Sequence, residues 1–179
     1  MSTANRLPLQ FGLIGGLIMV AAWTVFYVVD PGLMASSLWS TVLYLPLLVC
    51  MFVVIPQLEQ ADGADLRFLR GLLASTLVGL IGSLVFQLFN VALHHLIDPG
   101  LAETLEIEVI RNMQDTMDRF DVPEAQIDAA IEQVRSEGLT PTFRSVMIGL
   151  GSAIAVSVFF GTFFMTVYLG WRSLRKPSA

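Results

Sequence analysis

The stretch "GLLASTLVGLIGSLVFQLFNVALHH", residues 71–95, decides how this chain folds. Nothing in it before the closing histidines ionises near neutral pH. At about 1.5 Å per helical residue it covers the roughly 30 Å of bilayer hydrocarbon. Gly71, Ser75, Gly79 and Ser83 place a small residue at every fourth position, and Gln87, Asn90 and His94 continue that face. Lipid tails are as apolar as leucine, so helices in a membrane associate through close packing and interhelical hydrogen bonds, and small residues let their backbones approach. The stretch therefore reads as a membrane helix with a seam for a partner helix.

Composition sets the class. Of 179 residues, 55% are apolar and 14% charged, and the mean hydropathy is +0.70. A water-soluble domain of this length is far more polar. Three further apolar runs accompany the first, giving spans at about 9–29, 38–55, 68–97 and 146–169. The run at 9–29 follows Arg6, as a signal peptide would, but it exceeds the usual apolar core of one and reads as an uncleaved first span. Pro46 lies within the second run, where a kink is tolerated if neighbours satisfy the freed carbonyl. The fourth run ends in Tyr168, Trp171 and three basic residues, an interfacial anchor.

The fourth span carries its own stripe, Gly149, Ala153, Ser157 and Gly161. The two stripes predict that spans three and four form a tight antiparallel pair with the right-handed crossing of small-xxx-small contacts. Gly12 and Gly16 offer the first span a similar contact, within the chain or between two copies.

Residues 98–143 form the one long polar connection. Asp98 ahead of Pro99 reads as a helix start, and Ala102, Leu105, Val109, Met113, Met117 and Phe120 make one apolar stripe at helical spacing. A second helix begins at "DVPE", with Asp121 as its cap, carries Ile127, Ala130, Ile131 and Val134 on one side, and stops at Gly138. "TPT", residues 140–142, restarts the chain with a threonine cap and a proline in the first turn. The fold class read here is thus an all-α integral membrane protein, a single membrane domain of four transmembrane helices with an amphipathic helical hairpin between spans 3 and 4.

Arg6, Arg67, Arg70, Arg172, Arg175 and Lys176 flank one side of the membrane, while the first connection, "DPGLMASS", holds no basic residue. The positive side faces the cytoplasm. Both termini are therefore expected inside, with residues 98–143 as an extracytoplasmic acidic insertion. Eleven acids from Asp98 to Glu137 stand against Arg111, Arg119, Arg135 and Arg144. No calcium-loop spacing appears among them, and acids opposite an apolar stripe are usually a solvated face.

Chemistry leaves fewer marks. Ser83, Gln87, Asn90 and His94 are the candidate polar face, suited to lining a solute path or to bonding a neighbouring helix. His94 and His95 invite haem or metal, but adjacent helical residues point about 100° apart and match no ligand spacing. No catalytic motif, paired intramembrane carboxylate or phosphate loop is present. The net charge of -5 argues against nucleic acid as a partner. No catalytic residue, metal ligand or cofactor is assigned. The lipid bilayer is the expected partner, together with a membrane protein or a second copy of the chain.

"FGLIGGLI" (11–18), "FLRGLLASTLVGLIGSLVF" (68–86) and "LIDPGLAETLE" (96–106) resemble the bacterial family called domain of unknown function 4199. The resemblance implies four spans, a long polar connection before the last, and a bacterial inner-membrane location. It implies no activity. The favoured role is structural or accessory, acting through helix packing and the acidic hairpin. A transporter or channel subunit is the alternative, and a membrane enzyme or haem or metal carrier ranks third.

Overall fold

The computed structural model describes residues 3–62, 66–120 and 122–175. The four apolar runs are helices that pack as an up-down-up-down bundle. The first, α1 (Thr3–Val29), leads through a 3-10 turn (Pro31–Leu33) to α2 (Ser37–Leu43) and α3 (Leu45–Asp62). Next come α4 (Phe68–Ala92), with a π-helical extension over Leu93–Ile97, and the hairpin α5 (Leu101–Arg119) and α6 (Glu124–Glu137). The chain ends in α7 (Phe143–Arg175). Among the described residues, four stretches are long and apolar enough to cross a membrane: Arg6–Val29, Leu38–Asp62, Phe68–Ile97 and Phe143–Leu174.

The second span departs most from the sequence reading. It does not bend gently at Pro46: α2 ends at Leu43, Tyr44 makes a turn, and Pro46 sits in the first turn of α3. Proline has no N–H for the carbonyl four residues back, whereas the first turn of a helix needs none, so the break falls just ahead of it. The span also runs on past Ile55. Pro56 is accommodated inside α3, and the helix carries Glu59 to the end of the bundle where α7 finishes.

Glycine decides how near the helices come. A methyl added to Gly12 would lie 2.7 Å from Ile81 Cβ, and one on Gly16 2.9 Å from both Val85 Cβ and the Gly82 carbonyl oxygen. These glycines of α1 therefore lie on α4 of the same chain. The central core is built by Met19, Met51, Val54, Ile55 and Val78, all almost fully buried. Around it α1, α3 and α4 pack on one another, and α7 lies along α4 and touches α3.

The hairpin folds back on the end of the bundle where α1 finishes. Its helices α5 and α6 pair, and α5 also packs on the 3-10 turn after α1. Leu101, Leu105, Ile127 and Ile131 are buried there, but Phe120, at the tip, is exposed. Gly138 has a positive φ of 65° and closes α6 through its N–H to the Val134 carbonyl at 3.0 Å. Asp121, read as the cap of the second hairpin helix, lies outside the described residues, and Pro123 occupies the cap position without a side-chain bond. Thr142 caps α7 in reciprocal fashion: Ser145 N donates to Thr142 Oγ1 at 3.2 Å, and Thr142 N donates to Ser145 Oγ at 2.8 Å. Pro141 precedes that cap and is not part of the first helical turn.

Candidate functional site

The helix seam and the polar face meet at one cleft. Along α4 and α7 the contacts pair in reverse order: Gly71 lies against Met165, Gly161 against Leu72 and Thr76, Gly79 against Ser157, and Gly149 against Gln87. Rising numbers on one helix match falling numbers on the other, so the pair is antiparallel. A methyl on Gly161 would meet Leu72 Cδ1 at 3.1 Å. Of the remaining members of the two stripes, one turns away from the pair and two, Ser83 and Ala153, border the cleft. Ser75 turns to α3, donating its hydroxyl to the Met51 carbonyl at 3.0 Å.

The cleft holds about 550 Å³ and lies between the α2–α3 break, α4 and α7. Its walls are mostly apolar: Tyr44, Leu47, Leu48 and Met51 on one side, Phe86 behind, and Ala153, Val156 and Phe160 opposite. The polar contribution is uncharged and comes from Ser40, Thr41, Tyr44, Ser83, Gln87, Ser152 and Ser157. Ser83 and Ser157 are buried, at 9% and 3% exposure. Two causes open this space. The turn at Tyr44 interrupts the α2–α3 wall, and the small residues of α7 leave unfilled the volume that larger side chains would take.

Aromatic rings close its outer side. Phe86 meets Trp23 edge-on at 5.6 Å between ring centroids and Tyr44 at 6.3 Å. Trp23 also meets Phe26, which meets Trp39 of α2 at 5.7 Å. The Trp23 indole nitrogen is buried and has no hydrogen-bond partner among the described residues.

The rest of the sequence-read polar face serves the backbone. Asn90 Nδ2 donates to the Phe86 carbonyl at 3.2 Å. A ring nitrogen of the buried His94 bonds the Asn90 carbonyl at 2.9 Å. Its neighbour His95 points elsewhere, with Nε2 2.9 Å from the Pro141 carbonyl oxygen, and so joins the π-helical turn to the start of α7. Ser83 and Gln87 thus share the cleft while Asn90 and His94 do not. Among the described residues, no three His, Cys, Asp or Glu side chains are grouped closely enough to hold a metal ion.

Two polar ties escaped the sequence reading because their members are far apart in the chain. At the end away from the hairpin, Glu59 of α3 pairs with Arg172 of α7 at 2.9 Å and accepts a hydrogen bond from the Tyr168 hydroxyl. At the hairpin end, the Tyr27 hydroxyl donates to Asp98 Oδ2 at 3.1 Å, linking α1 to the start of the hairpin. The available signal for the first tie was a carboxylate one helical turn beyond the end of the apolar run at Ile55.

The family described as "Protein of unknown function (DUF4199)" matches residues 10–168, and this chain belongs to it. No curated protein and no solved structure gives a significant match.

Proposed function

We propose that this member of the DUF4199 family is an accessory protein of a bacterial inner membrane that binds another membrane protein through α7, with its acidic hairpin as a second contact. In this reading both termini are cytoplasmic, and the hairpin stands outside. The observation that carries it is the uneven burial of the spans. Only 11% of the most apolar window of α7 is buried, against 33% in each of the second and third spans. The flank of α7 turned away from α4 carries Gly151, where an added methyl meets no atom within 4 Å, together with Ala155 and the exposed Phe159. A small residue open to lipid on a rigid helix suits close approach by another helix.

The test is photocrosslinking in native membranes from positions 151 and 159, followed by identification of the attached protein. A single stoichiometric partner supports the accessory reading. Adducts to lipid alone at both positions would defeat it.

A transporter or channel subunit draws support from Ser83 and Gln87 in the cleft. Toward the inner side, however, Gly79 meets Ser157, Gly71 meets Met165 and Glu59 pairs with Arg172. That geometry favours a closed-ended pocket over a conduit. Solute flux in liposomes measures the difference, and flux sensitive to Gln87→Leu would favour transport.

A further inference from the structure

We propose that the cleft between the α2–α3 break, α4 and α7 is a binding site for a neutral membrane amphiphile, a molecule with a hydrocarbon tail and an uncharged hydroxyl or ester group. At about 550 Å³ it falls in the roughly 300 to 1,000 Å³ range of sites that take small molecules. Apolar side chains dominate the walls, which selects for hydrocarbon. No Asp, Glu, Lys, Arg or His is among the lining residues. A headgroup charge would find no counter-charge there and would lose its hydration, at a cost of several kcal/mol.

The polar groups specify the other end of the ligand. Ser83 and Ser157 are more than nine-tenths buried and line the cleft. The Gln87 amide, which abuts Gly149, has no hydrogen-bond partner among the described residues. Unpaired polar groups at membrane depth cost free energy until something bonds them, and no bulk water is at hand. A hydroxyl or ester carbonyl on the ligand satisfies the amide and a serine together. The break at Tyr44 keeps the wall open in a region where an unbroken α2–α3 helix would narrow it. This site is separate from the outward flank of α7 that carries Gly151.

The probe is a monoacylglycerol with a diazirine in its acyl chain, added to the purified full chain in phosphatidylcholine nanodiscs. The fatty acid with the same tail serves as the charged control. After illumination, peptide mass spectrometry should place the monoacylglycerol adducts on residues 40–51, 83–87 and 149–160, and excess unlabelled monoacylglycerol should remove them. Gln87→Leu should lower this labelling by about five-fold, the ratio that loss of one neutral hydrogen bond gives. Ala153→Trp should abolish it by filling the cleft. Ser152→Phe, on the same wall, provides a second filler, and circular dichroism checks that each variant is folded. Adducts spread evenly over the lipid-facing helix surfaces, equal labelling by the fatty acid, or labelling that survives both fillers would overturn the proposal.

Discussion

Gly79 of α4 and Ser157 of α7 touch so closely that a methyl group on Gly79 would overlap the serine hydroxyl. Met51 of α3 approaches the same point, its sulfur 3.1 Å from where that methyl would sit. Three of the four spans therefore converge on a residue with no side chain. Gly79→Leu should destabilise the protein by about 1–3 kcal/mol, because a packed interior relaxes poorly around an inserted group. Gly151→Leu, on the opposite flank of α7, should stay within about 0.5 kcal/mol of the parent. Unfolding in mixed detergent micelles compares the two, and equal losses would mean that the α7 faces are assigned the wrong way round.

The contact of Gly12 and Gly16 with α4 gives a second expectation. Cysteines at Gly16 and Val85, in a background where Cys50 is replaced by alanine, should crosslink within one chain. A covalent dimer as the main product would place this pair of faces between two copies.

Glu59 and Arg172 should prove energetically coupled. Glu59 and Arg172 each keep about a fifth of their side-chain surface exposed, which places the pair between a surface bridge of about 0–1 kcal/mol and a buried one. Glu59→Gln should cost about 1–2 kcal/mol on that scale. In a double-mutant cycle with Arg172→Met, the double variant should lose less than the two single losses combined. Simple additivity would show that the two groups do not stabilise each other.

Tyr27→Phe removes the hydrogen bond that links α1 to Asp98 and leaves the ring. Water reaches this hydrogen bond, so its loss should be felt locally, at the start of the hairpin, rather than in the stability of the whole bundle. Hydrogen exchange should speed up at residues 98–105 and remain unchanged in α3. No change at 98–105 would mean that the hairpin is held by its apolar contacts alone.

Four spans could be read from the chain because length and hydropathy alone set whether a helix crosses a bilayer. Spacing by four likewise tells which residues share a helix face. It does not tell which neighbour that face meets, and Ser75, in line with Gly71 and Gly79, bonds Met51 of α3 instead of α7. Asn90 and His94 show the same limit: they share a face with Gln87, yet both bond backbone carbonyls of α4. The end of the second span was hidden for another reason: hydropathy stops the run at Ile55, and it carries no trace of the pair that Glu59, one turn further along α3, makes with Arg172 more than a hundred residues away.

The pairing of α4 with α7 within a single chain leaves the other flank of α7 free. The most direct measurement is disulfide formation between Thr76→Cys and Gly161→Cys in the Cys50→Ala background. A methyl at 161 would lie 3.3 Å from the Thr76 hydroxyl oxygen, within the reach of a disulfide. Pairing within one chain should give rapid oxidation to a species that runs as a monomer on a denaturing gel. Oxidation to a dimer, or none while each single-cysteine variant remains folded, would contradict it.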